Sequence, residues 1–318
     1  MGRILIIRGG AIGDFILTLP AIRLIREQLP DNQIEILGYK AVADLAVASG
    51  YADAVRHIEY SALASFFANG GKLDPPMMNY FARFNIVVSY LYDPDGHFHA
   101  NLDRSGVRTL LECSHRVDAG GEHASRQLAK PLEQLALFFE NDAAAAPKLD
   151  LDSLAGEADA ILREAGLSAG RFLAIHPGSG SLQKNWPLER WMALGPWLAE
   201  QAGGEPILLV SGEAEEDTVD QVAAAWRRAG VRFAPARNLA LPALGAILSK
   251  ARLFAGHDSG ISHLAAAAGA PCALLFGPTD PAIWAPPHAG VRILRAADSA
   301  LPSLSAEAVK SLIASALG

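Results

Sequence analysis

"HDSGISHLAAAAGAP", residues 257–271, places an aspartate, a serine, a glycine and a histidine at the start of an alanine-rich helix that is otherwise inert. A helix start leaves its first N–H groups without intrahelical acceptors and carries the positive end of the dipole, so it suits an anion. Asp258 reads as the helix cap, and Ser259 and Gly260 as backbone donors. His263, one turn on and leaning back toward the amino end, reads as a protonatable donor on the same face. A plain cap accounts for Asp258 alone, whereas a phosphate accounts for all four.

Three further stretches of the second half carry compatible groups. In "HPGSGSLQKNWP" (176–187) glycines and serines expose backbone N–H groups and Lys184 adds a mobile cation. The plain alternative is a strand-to-helix turn that ends with Pro187 at the first helical position. In "SGEAEED" (211–217) Glu213, Glu215 and Glu216 compete as the acid that binds ribose hydroxyls, although acids also favour a first helical turn unaided. "GPTDP" (277–281) is a rigid turn that carries Thr279. Four loops offering phosphate or ribose partners weigh more than any one of them.

The first half differs. In "RGGAIGDFILTLP" (8–20) the glycines Gly9, Gly10 and Gly13 lack the one-three-six spacing of a dinucleotide loop, which argues against a nicotinamide cofactor. What remains is Asp14 at a helix start, which reads as an N-cap or as a general base. "YDPDGHFH" (92–99) alternates Asp93, Asp95, His97 and His99. Alternate residues share a face only in extended chain, and "DPDG" reads as a turn, so a loop touching an acceptor is favoured over a metal site, and a plain surface loop is favoured over both for any single residue.

Elements that would position these groups alternate along the chain. Strands are expected at 3–8, 33–38, 52–58, 85–91 and 107–113, then at 171–176, 206–211, 231–236, 251–256 and 271–277. Helices fill the gaps, with a long one at about 122–141 and a last one from Ala306 to Leu317. This is an α/β chain with parallel sheets covered on both faces. "NDAAAAPKLDL" reads as a linker and divides the chain into domains 1–150 and 151–318. Open parallel sheets bind ligands beyond the carboxyl ends of their strands, where every loop named above lies.

Bulk properties exclude several classes. The 318 residues carry a net charge of −7, spread over both halves, which argues against a broad nucleic-acid surface. Two cysteines without ligand spacing suggest a reducing compartment. The apolar start is too short for a signal peptide and no run is long enough to span a membrane, so a cytoplasmic location is expected.

Taken in order, "RGGAIGDFILTLPAIRLIREQLP", "HPGSGSLQKNWPLERW", "SGEAEED" and "HDSGISHLAAAAGAPCALLFGPTDP" resemble the motifs of family 9 glycosyltransferases, the bacterial heptosyltransferases of lipopolysaccharide core assembly. The resemblance implies a GT-B fold: two Rossmann-like domains facing a cleft, acceptor on the first and nucleotide sugar on the second. The last helix is a candidate to pack back on the first domain. It also implies ADP-heptose as donor, inversion at the anomeric carbon, and neither cofactor nor metal. Asp14 then matches the catalytic base and Lys184 the lysine at the donor phosphates. Ser179 and Gly180 match phosphate contacts, Glu215 the ribose acid, and Leu239 a residue lining the adenine. Asp258, Ser259, Gly260 and His263 match the diphosphate-binding helix start. Gly13, His97 and His99 are the acceptor-side candidates. The acceptor would be a glycan, free or lipid-linked, which would bring the protein to the cytoplasmic face of the inner membrane. One departure is plain: lipopolysaccharide-specific members usually carry a basic residue after the fourth strand, and "DPDGHFHANL" has no lysine or arginine. A sugar-nucleotide 2-epimerase of the same fold would need no acceptor, and a non-catalytic binder would bind without turnover.

Overall fold

The computed structural model describes residues 2–58, 60–212 and 216–318, and separates into two compact units, Met1–Ala145 and Ala146–Gly318. In the first unit the chain runs β1 (Arg3–Arg8), α1 (Ile12–Gln28), β2 (Gln33–Gly38), α2 (Lys40–Ala48), β3 (Ala54–His57), α3 (Tyr60–Leu63), α4 (Pro75–Phe81), β4 (Ile86–Ser89), α5 (His97–Arg104), β5 (Thr109–Glu112) and α6 (Ala124–Ala129). All strands are parallel, in the order β3-β2-β1-β4-β5. Ile7 of β1 lies beside Ser89 of β4, and Ser89 beside Glu112 of β5.

The second unit repeats the plan. It runs α7 (Ala155–Glu164), β6 (Leu173–Ile175), α8 (Leu188–Gln201), β7 (Ile207–Ser211), α9 (Glu216–Arg228), β8 (Phe233–Arg237), α10 (Leu241–Leu248), β9 (Leu253–His257), α11 (Gly260–Ala267), β10 (Cys272–Phe276), α12 (Pro281–Trp284), β11 (Val291–Arg295) and α13 (Ala306–Leu317). The strand order is β11-β10-β9-β6-β7-β8, again all parallel.

Central strands are buried on both faces, which is why they read as unbroken apolar runs. Ile4, Leu5, Ile6 and Ile7 are all buried, and so is every residue of β7, β9 and β10. Each large side chain so buried contributes about 1.5–3 kcal/mol of transfer free energy. In each sheet the strand order reverses once, between β1 and β4 and between β6 and β9. Such a reversal opens a crevice at the carboxyl ends of the two strands. The loops after β1, β4, β6 and β9 are therefore the ones the topology singles out.

Several expectations change. The long helix at 122–141 is a short α6 followed by a 3-10 turn over Lys130–Leu135, ended by Ala136 at φ +58°. Pro131 has no N–H to give to the preceding turn, and its ring crowds that turn's carbonyl. The linker stretch is ordered: Leu149 donates to the Ala267 carbonyl at 2.8 Å, and Ala145, Ala146, Leu149 and Leu151 are buried. A further strand, β11, lies at the sheet edge with none of its residues buried, so it has no apolar run to mark it in the sequence. The last helix, a candidate to return to the first unit, buries Val309 and Ile313 in the core of the second. Among the described residues no helix is long and apolar enough to cross a membrane.

Candidate active site

A buried histidine organises the second unit's crevice. His257 ends β9 with no solvent exposure. Its Nε2 accepts from the Trp186 N–H at 2.9 Å and from Trp191 Nε1 at 3.2 Å. Two donors on one nitrogen leave the proton on Nδ1, which faces the Gly178 carbonyl at 3.4 Å. Burial, with His176 nearby, pushes the His257 imidazole down to about 3, against the opposing pull of the Gly178 carbonyl and Asp258. His257 is thus a neutral clamp that holds both ends of the loop carrying Lys184. Ser179 stiffens the same loop, with its hydroxyl 2.9 Å from the Ser181 carbonyl and 2.8 Å from Asn185 Oδ1.

Asp258 is the meeting point of three elements. Its Oδ2 accepts from Lys184 Nζ and from Thr279 Oγ1, both at 2.6 Å, and its Oδ1 lies 3.8 Å from His263 Nε2. Burial alone would raise this carboxyl. The contacts with His263, Lys184 and Thr279 outweigh it and hold Asp258 well below the usual carboxylate range. The expected cap is therefore corrected: Ser259, not Asp258, is the N-cap of α11, and its Oγ accepts from the Ser262 N–H at 3.3 Å. Asp258 is turned inward and sets the cations in place. The N–H groups of Gly260 and Ile261 have no acceptor inside the helix, as in any first turn. His263 is 5 % exposed, and its Nδ1 has no partner among the described residues.

The remaining candidates of this unit divide. Gly180 is exposed, and a Cβ there would meet nothing within 4 Å, so packing does not demand a glycine. Leu239 lines an apolar cavity of about 200 Å³ with Leu162, Pro235 and Ile247. Glu213, Glu215 and the Glu216 side chain lie outside the described residues.

In the first unit Asp14 is the third residue of α1 rather than its N-cap, which is Ala11. Its Oδ2 accepts from the Ala11 N–H at 3.3 Å, the reach-back half of a capping box. Gly10 has φ +105°, and a Cβ on it would stand 3.2 Å from Asp14 Oδ2, so the turn requires glycine for both backbone and room. Gly13, one residue before Asp14, is half-buried. Arg8, at the end of β1, is 4 % exposed. One guanidinium N–H reaches the Asp14 carbonyl at 3.3 Å, and the group lies 5.2 Å over the Tyr90 ring. Burial lowers its pKa, while Asp14 acts in the opposite sense.

Beyond β4 and β5 lies a cavity of about 300 Å³. His99 lines it and pairs with Glu112; His97 does not line it. Asp93 spends its carboxylate on the N–H groups of Phe98 and His99 at 3.1 and 2.9 Å. Among the described residues no three His, Cys, Asp or Glu side chains converge as a metal set would need.

His176, His257 and Arg8 escaped the sequence reading. All three stand at or just after the carboxyl end of a strand flanking a reversal, and that position was the available signal.

The model of glycosyltransferase family 9 (heptosyltransferase) matches residues 107–313, about two thirds of the chain. The chain is 26 % identical over 296 residues to lipopolysaccharide heptosyltransferase 3 of Escherichia coli, covering 86 % of this chain and 83 % of that protein. Its fold superposes on a family 9 glycosyl transferase from Veillonella parvula with TM-score 0.81 and 18 % identity, over 99 % and 97 % of the two chains. On E. coli heptosyltransferase WaaC with ADP the TM-score is 0.70 at 19 % identity, over 99 % of each chain.

Proposed function

The chain belongs to glycosyltransferase family 9 and is a glycosyltransferase of GT-B fold, and on that premise we propose that it transfers heptose from ADP-heptose to a glycan hydroxyl, with inversion and without a metal. One observation carries the reading: Lys184, Thr279 and His263 are gathered on Asp258 beside the open first turn of α11, at the reversal point of the second sheet. That is a preformed set of donors for a diphosphate.

Asp14 takes the proton of the acceptor hydroxyl as its oxygen forms a bond to the anomeric carbon. The bond from that carbon to the diphosphate oxygen breaks on the opposite face, so configuration inverts and ADP leaves. Its growing charge is met by Lys184, by the N–H groups of Gly260 and Ile261, and by His263. Donors held in place this way are worth ~10²–10³ each in rate. Asp258 contacts no phosphate in this scheme; it orients Lys184 and Thr279, and its buried charge is balanced by them. Cationic side chains and a helix end supply the neutralisation that a divalent ion supplies elsewhere. Leu239 and its cavity suit the adenine, and Ser179 and Gly180 shape the loop next to the phosphates. One of Glu213, Glu215 and Glu216 is assigned to the ribose. A lipid-linked acceptor would bring the enzyme to the cytoplasmic face of the inner membrane.

Calorimetric titration of the whole protein with ADP and with UDP, each in excess EDTA and then in Mg²⁺, tests the donor assignment. ADP should bind in both buffers, and at ~100 times its dissociation constant should add about 2.7 kcal/mol of stability. Tighter binding of UDP, or ADP binding that appears only with the metal, would overturn it.

A further inference from the structure

We propose that the cavity at the ends of β4 and β5 is a subsite for an uncharged sugar ring of the acceptor; the inference rests on the transferase reading above. The cavity lies on the ligand-binding edge of the first sheet. The strand β4 that leads to it is paired with β1, which ends at the Asp14 loop: the Tyr90 backbone N–H donates to the Ile7 carbonyl at 2.9 Å, and Arg8 and the α1 turn follow Ile7. At about 300 Å³ it falls at the small end of ligand pockets, the size for one ring rather than a chain.

Its lining sets the chemistry. Tyr92 is 60 % exposed and packs at 4.6 Å on the His115 ring, which gives the cavity a held aromatic wall. An aromatic face of this kind suits the C–H face of a sugar. Glu112, tied to His99 through one oxygen, keeps a second oxygen to accept a hydroxyl. Cys113 on the floor is pushed up to about 12 by burial and stays a neutral thiol. Two carboxylates, Asp93 and Glu112, and two histidines, His99 and His115, line the cavity, and among the described residues no lysine or arginine does. Arg8 does not line it, because its guanidinium is buried over the Tyr90 ring. His99 is engaged by Glu112 and His115 by the Tyr92 ring, so a phosphate or carboxylate on the ligand would be desolvated beside like charge with no lysine or arginine to meet it. Hydroxyl groups meet no such cost.

The test uses saturation-transfer NMR on the whole protein with two probes, methyl α-mannopyranoside and mannose 6-phosphate, at equal concentrations. The neutral glycoside should receive saturation, and the phosphate should bind at least about tenfold more weakly. Tyr92→Ala should weaken glycoside binding about tenfold, in line with loss of an aromatic contact. Tyr92 is exposed, and unchanged ADP affinity and melting temperature certify that the variant is folded. Equal or stronger binding of the phosphate, no saturation of either probe, or no response to Tyr92→Ala would each overturn the subsite. ADP titration separates the two readings. If ADP fails to bind while the glycoside binds, the donor assignment falls and the subsite stands; the reverse pattern sinks the subsite alone.

Discussion

At the scale of single residues, the second unit distinguishes groups that face a ligand from groups that hold them. Asp258 looks from its place in the sequence like a cap and a phosphate contact, yet its carboxylate is wholly taken by side chains. His257 stands beside it and does the corresponding work for the backbone of the loop. Neutral His257 makes a prediction about acid. Its folded-state pKa, about 3, lies below the ordinary value of 6.5, so the unfolded chain takes up the proton first. The stability tied to the neutral ring is complete above pH 6.5 and is lost as pH falls toward 3. One proton gives a slope of up to about 1.4 kcal/mol per pH unit. Urea melts from pH 7.5 to 4.5 check this against His257→Gln. The variant should be less stable at pH 7.5, but its stability should fall less steeply; parallel curves would mean that His257 does not titrate with unfolding.

At the scale of elements, packing decides where the backbone must be bare. In α8, Gly195 faces α9, and a Cβ there would come within 2.4 Å of Nε1 of the fully buried Trp226. Trp226 cannot swing aside without giving up its bond to the Trp191 carbonyl at 3.2 Å. Gly195→Ala gains up to about 1 kcal/mol in helix propensity and loses about 1–3 kcal/mol to overpacking. The expected result is net destabilisation in urea with unchanged ADP affinity, and a stabilised variant would contradict the close approach. Legibility also varied by element. Strands such as β1 and β9, buried on both faces, announce themselves as apolar runs with no competing pattern. The stretch after α6 looked helical because its composition is helical, and the one residue that decides otherwise, Pro131, acts through a missing N–H. The Lys184 and Asp258 loops were legible because their residue types are unusual at strand ends. Which oxygen holds which cation was not, since the partners lie 74 and 21 residues apart in sequence.

At the scale of the whole molecule, the two units carry separable duties in this account: nucleotide binding in the second, proton removal in the first. That division is the central claim, and substitutions in the two units should read out differently. Asp14→Asn keeps an acceptor for the Ala11 N–H and removes only the basic carboxylate. Lys184→Ala removes a charge-assisted contact present both before and during transfer. The most direct measurement sets ADP affinity by calorimetry beside the initial rate of ADP release from ADP-heptose with acceptor, for both variants and the native chain. Asp14→Asn should lose ~10²–10⁴ in rate, the usual worth of a general base, with ADP affinity and melting temperature unchanged. Lys184→Ala should lose rate and ADP affinity together. Retention of most of the activity by Asp14→Asn, or a loss matched by weaker ADP binding or by unfolding, would contradict the account.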